Sequence, residues 1–498
     1  MRSLRTFVVV AASGLALTLA FPETDLAPLA WIALVPLLLA CRSASPARAA
    51  ALGGTFGLAF FGSLLIWISI VGYVAWFVLV LLQASFIALF GWVMAVATER
   101  TPRWWPMLVA PVAWVAIVEF LRSVVPTVGF TWGELAQSQH DLLWLLSAAR
   151  LGGGWLVAFL IVFANAALAS ALSAALEREW GRAVVRLGAA VLALVWPLAM
   201  PVTQVDAEPI SVAIVQGNVP RDFPGSFYEK ELAIARSHER LTRELAGTDV
   251  DLVVWAESSV GLDIRRDPQA AQAVYGALDA VDAPMVVGGN LDLDDERYKV
   301  VAFHLEPGRG IVDVYEKTHL VPFGEYVPAR SLFGWIPMLD QVPRDAVPGT
   351  EGRVFPVAGG MVAPVISFEG DFGSLVRSRI DAGGRLLLVA TNTSTWEDSA
   401  ASAQHVAFSQ VRAAENGIWV IHAAVSGISA FISPLGKVEE PIPLWTAGSA
   451  VHDVTFADGI TLYARVGDWL PYLCAVATVA ALASGLWRRK RRAAPAPS

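Results

Sequence analysis

Cysteine is nearly absent: the 498 residues hold two, Cys41 and Cys474, each inside an apolar run. Disulfides are therefore not expected in the polar segment between residues 203 and 466, and no thiol is available there for nucleophilic chemistry. Charge is also scarce, at 16% of residues. The formal net charge of −8 comes with no basic stripe interleaved with aromatics, so no nucleic acid partner is expected. The seven histidines form no His-x-x-x-His or His-x-x-Glu-His pair, so no metal is expected, and His319 and His405 read as motif or packing residues. Gly288-Gly289 and Gly152-Gly153-Gly154 lack the lysine or strand context of a phosphate loop and read as turns or close-packing points. No repeat of about 20–50 residues is present.

What the chain has in quantity is apolar surface: 55% of its residues are hydrophobic, and the mean hydropathy of +0.55 is too high for a soluble protein of this size. Runs long enough to cross a hydrocarbon core of roughly 30 Å lie near 4–21, 25–41, 51–72, 74–97, 105–123, 152–174, 183–202 and 467–487. The expectation is a polytopic α-helical membrane domain with about eight spans, seven before the polar segment and one after. Basic residues mark every second loop: Arg2 and Arg5, Arg42 and Arg48, Arg100 and Arg103, then Arg178, Arg182 and Arg186. By the positive-inside rule both termini, including the basic tail Arg488 to Arg492, are then cytoplasmic and the polar segment extracytoplasmic. The first run has the basic start of a signal peptide, but Pro22-Glu23-Thr24-Asp25 is not a small-x-small cleavage site, so a hairpin anchor is expected.

From about 207 the texture changes to short β-branched runs alternating with polar stretches of helical spacing. Strands are predicted over 210–216, 251–255, 284–288, 300–305, 362–367, 386–391, 418–423 and 429–433, and helices over 228–245, 267–280 and 404–416. One α/β domain follows. The expected division is 1–204 transmembrane, 205–462 extracytoplasmic, and 463–498 a last transmembrane helix with a basic tail.

Three segments carry chemistry. Val254-Trp255-Ala256-Glu257-Ser258 ends an apolar run on a carboxylate, a placement that suits a desolvated general base and equally a surface Glu at a strand end. Tyr315-Glu316-Lys317-Thr318-His319-Leu320-Val321-Pro322-Phe323-Gly324-Glu325-Tyr326-Val327-Pro328 contains Lys317, one of four lysines in the polar segment of a chain that otherwise uses arginine. A compact ammonium suits an oxyanion better than a planar guanidinium does. Pro364-Val365-Ile366-Ser367-Phe368-Glu369 ends a third apolar run on a hydroxyl.

In this order and spacing the segments resemble the Glu, Lys and Cys segments of the nitrilase superfamily, and in particular its membrane-bound apolipoprotein N-acyltransferase family. Val215-Gln216-Gly217-Asn218-Val219-Pro220, Val389-Ala390-Thr391-Asn392 with Trp396, Gln404-His405, Arg412-Ala413-Ala414-Glu415-Asn416-Gly417 and Gly129-Phe130-Thr131-Trp132 extend the likeness. The resemblance implies an αββα sandwich with catalytic Glu257, Lys317 and residue 367, and with supporting or substrate-binding Glu325, Glu369, Asn392 and Trp396. It also implies no cofactor. Three departures stand out: Ser367 where the family has cysteine, Thr393-Ser394-Thr395-Trp396-Glu397-Asp398 where it has Asp-Ala-Trp-Phe-Gly after the asparagine, and Tyr298-Lys299-Val300 for its Tyr-Asn-Ser.

The implied activity is ping-pong transfer of a fatty acyl chain from a phospholipid to the diacylglyceryl-cysteine amine of a lipoprotein, in the inner membrane of a bacterium. A serine hydroxyl must lose its proton during attack, whereas a thiol is partly ionised beforehand. Two other readings stay open: a catalytically silent relative that binds lipid or lipoprotein, which Ser367 and the altered 393–398 segment favour, and a membrane-tethered amidase of the same superfamily.

Overall fold

The computed structural model describes residues 2–125, 129–200, 208–333, 339 and 342–493. The chain divides into two compact units, 1–202 with 466–498, and 203–465. The boundary expected between 204 and 205 lies outside the described residues.

The first unit is helical. Among the described residues five helices are long and apolar enough to cross a membrane: Tyr73–Ala97, Trp105–Val124, Gly154–Leu176, Trp180–Ala199 and Trp469–Arg491. The run expected over 25–41 is two short pieces, Ala27–Trp31 and Val35–Cys41, each opened by a proline in its first turn. The run expected over 51–72 is the helix Pro46–Leu64 followed by the 3-10 turn Ile66–Ile70. Tyr73, Val74, Phe77, Val78 and Leu81 leave a contiguous apolar face uncovered, which fits lipid better than water.

Helices Pro46–Leu64 and Tyr73–Ala97 touch through glycine. A Cβ on Gly57 would lie 2.7 Å from Ala84 Cα, and Cβ atoms on Gly53 and Gly91 would strike the Ile87 and Ala49 carbonyls. Trp105–Val124 contains Pro111 and widens to a π-helical turn at Val115–Leu121. At its end Arg122, fully buried, donates to the carbonyls of Val118 (2.6 Å), Phe130 (2.9 Å) and Trp132 (2.6 Å), pinning the segment Gly129-Phe130-Thr131-Trp132. Leaving those carbonyls unpaired in an apolar interior would cost several kcal/mol each.

The second unit holds two mixed sheets. Its strands are β1 (Pro209–Gln216), β2 (Leu252–Val260), β3 (Met285–Asp292), β4 (Arg297–Glu306), β5 (Gly310–Glu316), β6 (Asp345–Ala346), β7 (Phe355–Val357), β8 (Gly360–Ile366), β9 (Leu386–Thr391), β10 (Val420–Ala424), β11 (Ser429–Ile432), β12 (Val438–Ile442) and β13 (Gly448–Thr455). Its main helices are α1 (Phe227–Arg243), α2 (Pro268–Val281), α3 (Gly373–Asp381) and α4 (Ala401–Asn416). One sheet runs β13-β1-β2-β3-β4-β5, with β6 beside β4, and the other runs β12-β11-β10-β9-β8-β7. β1-β2-β3 and β8-β9-β10 are parallel.

Period-two alternation makes the layers. Val212, Ile214, Leu252, Val254 and Ala256 face Val362, Ile366, Leu386, Leu388 and Ile421 in a core between the sheets. Ala213, Val215, Val253, Trp255 and Val287 turn the other way onto Ala235, Leu241, Ala273, Val274 and Ala277 of α1 and α2. Ala363, Val365, Leu387 and Val389 pack against Val376, Ile380, Val406 and Ala413 of α3 and α4. Each fully buried aliphatic side chain contributes about 1.5–3 kcal/mol. The result is an αββα sandwich whose parallel strands end along common edges.

Candidate active site

β2 leaves its regular pairing with β3 after Trp255 and regains it at Val260, with Ser258 at φ +58°. This irregularity re-aims the strand as a bulge does, and Glu257 sits inside it. Gly288 on β3 makes room, since a Cβ there would strike the Ala256 carbonyl. Lys317 directly follows β5, its N–H donating to Val300 O at 2.9 Å. Its ammonium is buried, 1% exposed, and donates to Glu257 Oε1 at 3.0 Å and Glu325 Oε1 at 2.7 Å. The second oxygen of each carboxylate takes a backbone N–H: Asn392 to Glu257 (2.9 Å) and Val321 to Glu325 (2.7 Å).

One ammonium thus serves two carboxylates in a dry setting. Burial raises the pKa of Glu257 above the ordinary carboxylate value; Lys317 opposes the rise and the charge of Glu325 adds to it. Burial alone would lower the pKa of Lys317, but Glu257 and Glu325 outweigh it, so the ammonium is held more firmly than in water. Glu257 is therefore a carboxylate poised to take up a proton beside a fixed positive charge.

Ser367 follows β8 and opens the 3-10 turn Ser367–Asp371, itself in the left-handed region at φ +51°. A non-glycine residue there is strained and has to be held by its surroundings. Glu369, fully buried, does the holding. It accepts from Ile366 N (2.8 Å) below the serine and from Thr318 N (2.8 Å), His319 N (3.0 Å), Thr318 Oγ1 (2.7 Å) and Tyr315 Oη (2.8 Å) on the lysine segment. Arg379 on α3 completes the network, donating to Tyr315 Oη at 2.9 Å and Thr318 Oγ1 at 3.1 Å. Glu369 thus ties the lysine segment to the serine turn. The hydroxyl of Thr391, at the end of β9, donates to Ser367 Oγ at 3.3 Å.

The structure brings Glu257, Lys317, Glu325 and Asn392 into one hydrogen-bonded group, and in a second Glu369 joins the lysine segment to Ile366, the residue before Ser367, whose own hydroxyl meets Thr391. Asn392 meets Glu257 through its main chain, while its side chain accepts from Ser394 N at 3.0 Å and Ser394 Oγ at 2.7 Å. Trp396, partly buried, closes the turn Ser394–Trp396 with its N–H on Thr393 O at 3.0 Å. The divergent segment has a partner of its own: Asp398 receives Arg221 Nη1 at 2.9 Å, and that guanidinium lies 4.2 Å from the Trp445 ring centre. Beneath the serine turn, His405 Nε2 stands 3.2 Å from Asp371 Oδ1. Among the described residues no group of three or more His, Cys, Asp or Glu side chains is placed to hold a metal ion.

Sequence reasoning missed Thr391, Tyr315 and Arg379 as individual contributors. Tyr315 was in view at the head of the lysine motif. Arg379 lies on a polar helix with no local signal.

Residues 13–167 match the family described as apolipoprotein N-acyltransferase N-terminal domain, and residues 211–463 match carbon-nitrogen hydrolase. A curated apolipoprotein N-acyltransferase of Geobacter metallireducens is 33% identical, the alignment covering 98% of this chain and 96% of that one. Its namesake in Gloeobacter violaceus is 30% identical over 99% and 96%. Among solved structures, an amidase of the nitrilase superfamily from Nesterenkonia is 16% identical with a TM-score of 0.40, covering 54% of this chain and 95% of that one. With the α/β unit matched and relatives of the same name aligned from end to end, the chain belongs to the apolipoprotein N-acyltransferase family.

Proposed function

We propose that this protein N-acylates the diacylglyceryl-cysteine terminus of lipoproteins, using a phospholipid as donor and an acyl-enzyme on Ser367. The observation that carries the reading is the Lys317 ammonium held against Glu257 at strand ends that also present Ser367. Ser367 Oγ attacks the phospholipid ester while Glu257 takes the hydroxyl proton and Lys317 faces the oxyanion. Both oxygens of Glu257 are engaged, yet a carboxylate has about four lone-pair positions, so a further proton can be accepted. The proton passes to the departing lysophospholipid. The lipoprotein amine then attacks the oxyester, Glu257 takes its proton and returns it to Ser367 Oγ, and the amide leaves with the enzyme restored.

In this reading residues 1–204 and 463–498 anchor the catalytic part, 205–462, on the outer side of a bacterial cytoplasmic membrane with both termini inside. The alternation of basic loops supports that orientation, and two lipid substrates give a physical reason for the anchor.

The test is mass spectrometry of a lipoprotein's N-terminal lipopeptide from cells in which this protein is the only acyltransferase of its kind, alongside the Ser367→Ala variant. Triacylated peptide that becomes diacylated in the variant is expected. Diacylated peptide in both would mark a silent lipid-binding relative and overturn the proposal.

A further inference from the structure

We infer that Thr391 is a positioning residue for the nucleophile, supplying the hydroxyl that orients Ser367 Oγ and steadies it as it loses its proton. The inference rests on the acyl-transfer reading above and goes further by assigning a role to a side chain outside the three motifs.

Thr391 is placed by the sheet. It is the last residue of β9, fully buried, paired with Ala424 of β10, and its carbonyl accepts Val425 N–H at 3.2 Å. On the other side Ala390 pairs with Ile366 of β8, which sets Thr391 next to Ser367 across the parallel ladder. A β-branched side chain in a strand has few χ1 choices, so the hydroxyl is fixed in direction as well as place. The left-handed backbone of Ser367 is set separately, by Glu369 on Ile366 N–H. That leaves the χ1 of Ser367 free among its staggered wells unless something holds it.

The polarity of the contact matters. Thr391 Oγ1 donates and Ser367 Oγ accepts, at 3.3 Å. The proton of Ser367 therefore stays available to a base. As it departs, the Thr391 O–H points at the oxygen where negative charge collects, and a hydrogen bond to an ionised oxygen is roughly twice as strong as one to a neutral oxygen. The next residue completes the arrangement, Asn392 N–H holding Glu257 Oε2 at 2.9 Å. Two consecutive residues at one strand end thus grip the nucleophile and the base. A cysteine gains less from the first of these grips, because a thiol is already about a few per cent ionised near neutral pH and is intrinsically the stronger nucleophile. A serine depends on it.

The test measures acyl-enzyme formation by the full-length protein in detergent micelles, from a phospholipid with a fluorescent acyl chain. Thr391→Val, Thr391→Ala and Thr391→Ser are each made with Ser367 and with Ser367→Cys, and thermal melting confirms that each variant is folded. Thr391→Val and Thr391→Ala are expected to slow the serine enzyme about tenfold or more and to leave the Ser367→Cys enzyme nearly unaffected. Thr391→Ser is expected to restore the serine enzyme. Equal losses in both backgrounds, or none with serine, would overturn the assignment while leaving the acyl-transfer reading intact. A parent protein that forms no acyl-enzyme at all would overturn both.

Discussion

In the proposed reaction Glu257 is the base, and its environment then sets the working pH of the site. A base acts in its deprotonated form, and burial holds the Glu257 pKa above its ordinary 4.5. Activity is therefore present above that raised value and is lost as pH falls through it. The acid limb of kcat/KM on a phospholipid donor is expected to lie above the range of an exposed carboxylate. Glu257→Gln is expected to lower the plateau by about 100-fold or more, and a limb at or below the ordinary value would show that another group is the base. At this scale Glu257 and Ser367 are legible in the sequence because each ends a short apolar run, and Lys317 because lysine is rare in the chain. Thr391 is not legible. Its meaning depends on β8 lying beside β9, a pairing between residues about two dozen positions apart that no local pattern announces.

Among the elements, Glu369 joins the lysine segment to the serine turn, and its loss reaches both. Glu369→Ala would leave five donors, two hydroxyls and three backbone amides, without their acceptor. Two of the five contacts, from Tyr315 Oη and Ile366 N, are buried, and a buried donor left unpaired costs about 1–3 kcal/mol before any relaxation. The variant is expected to lose roughly 3 kcal/mol or more of stability, read as a lower midpoint in denaturant, with activity lost as well. Glu369→Gln, which keeps one acceptor oxygen, should fall between; an unchanged midpoint for Glu369→Ala would show that the tie is not structural. The strands predicted over 210–216, 251–255 and 386–391 correspond to β1, β2 and β9 because continuous apolar runs mark strands buried on both faces. β5, β12 and β13 escaped prediction because they lie at or near sheet edges, where half-exposed sequences such as Val438-Glu439-Glu440-Pro441-Ile442 carry no such run. α3, with Arg377, Arg379 and Asp381 on nine residues, gave no apolar stripe either.

For the molecule as a whole, composition announces a membrane protein, but not where its helices break or touch. Pro28 and Pro36 divide the second apolar run, and the glycines at 53, 57 and 91 turn two helices into a close pair. Gly57→Val is expected to destabilise the bundle by about 1–3 kcal/mol through overpacking, lowering the melting temperature in detergent. Gly54→Ala makes the control, since its Cβ would meet Ala88 Cβ at an ordinary 3.6 Å and should change little. Equal melting of the two variants would show that the contact does not govern bundle stability. The same seam bears on traffic. Where two backbones touch, no fatty chain can slip between them, so this side of the bundle is a wall. In the proposed reaction, a donor chain that approached through the bundle would pass between other helices, not along this seam.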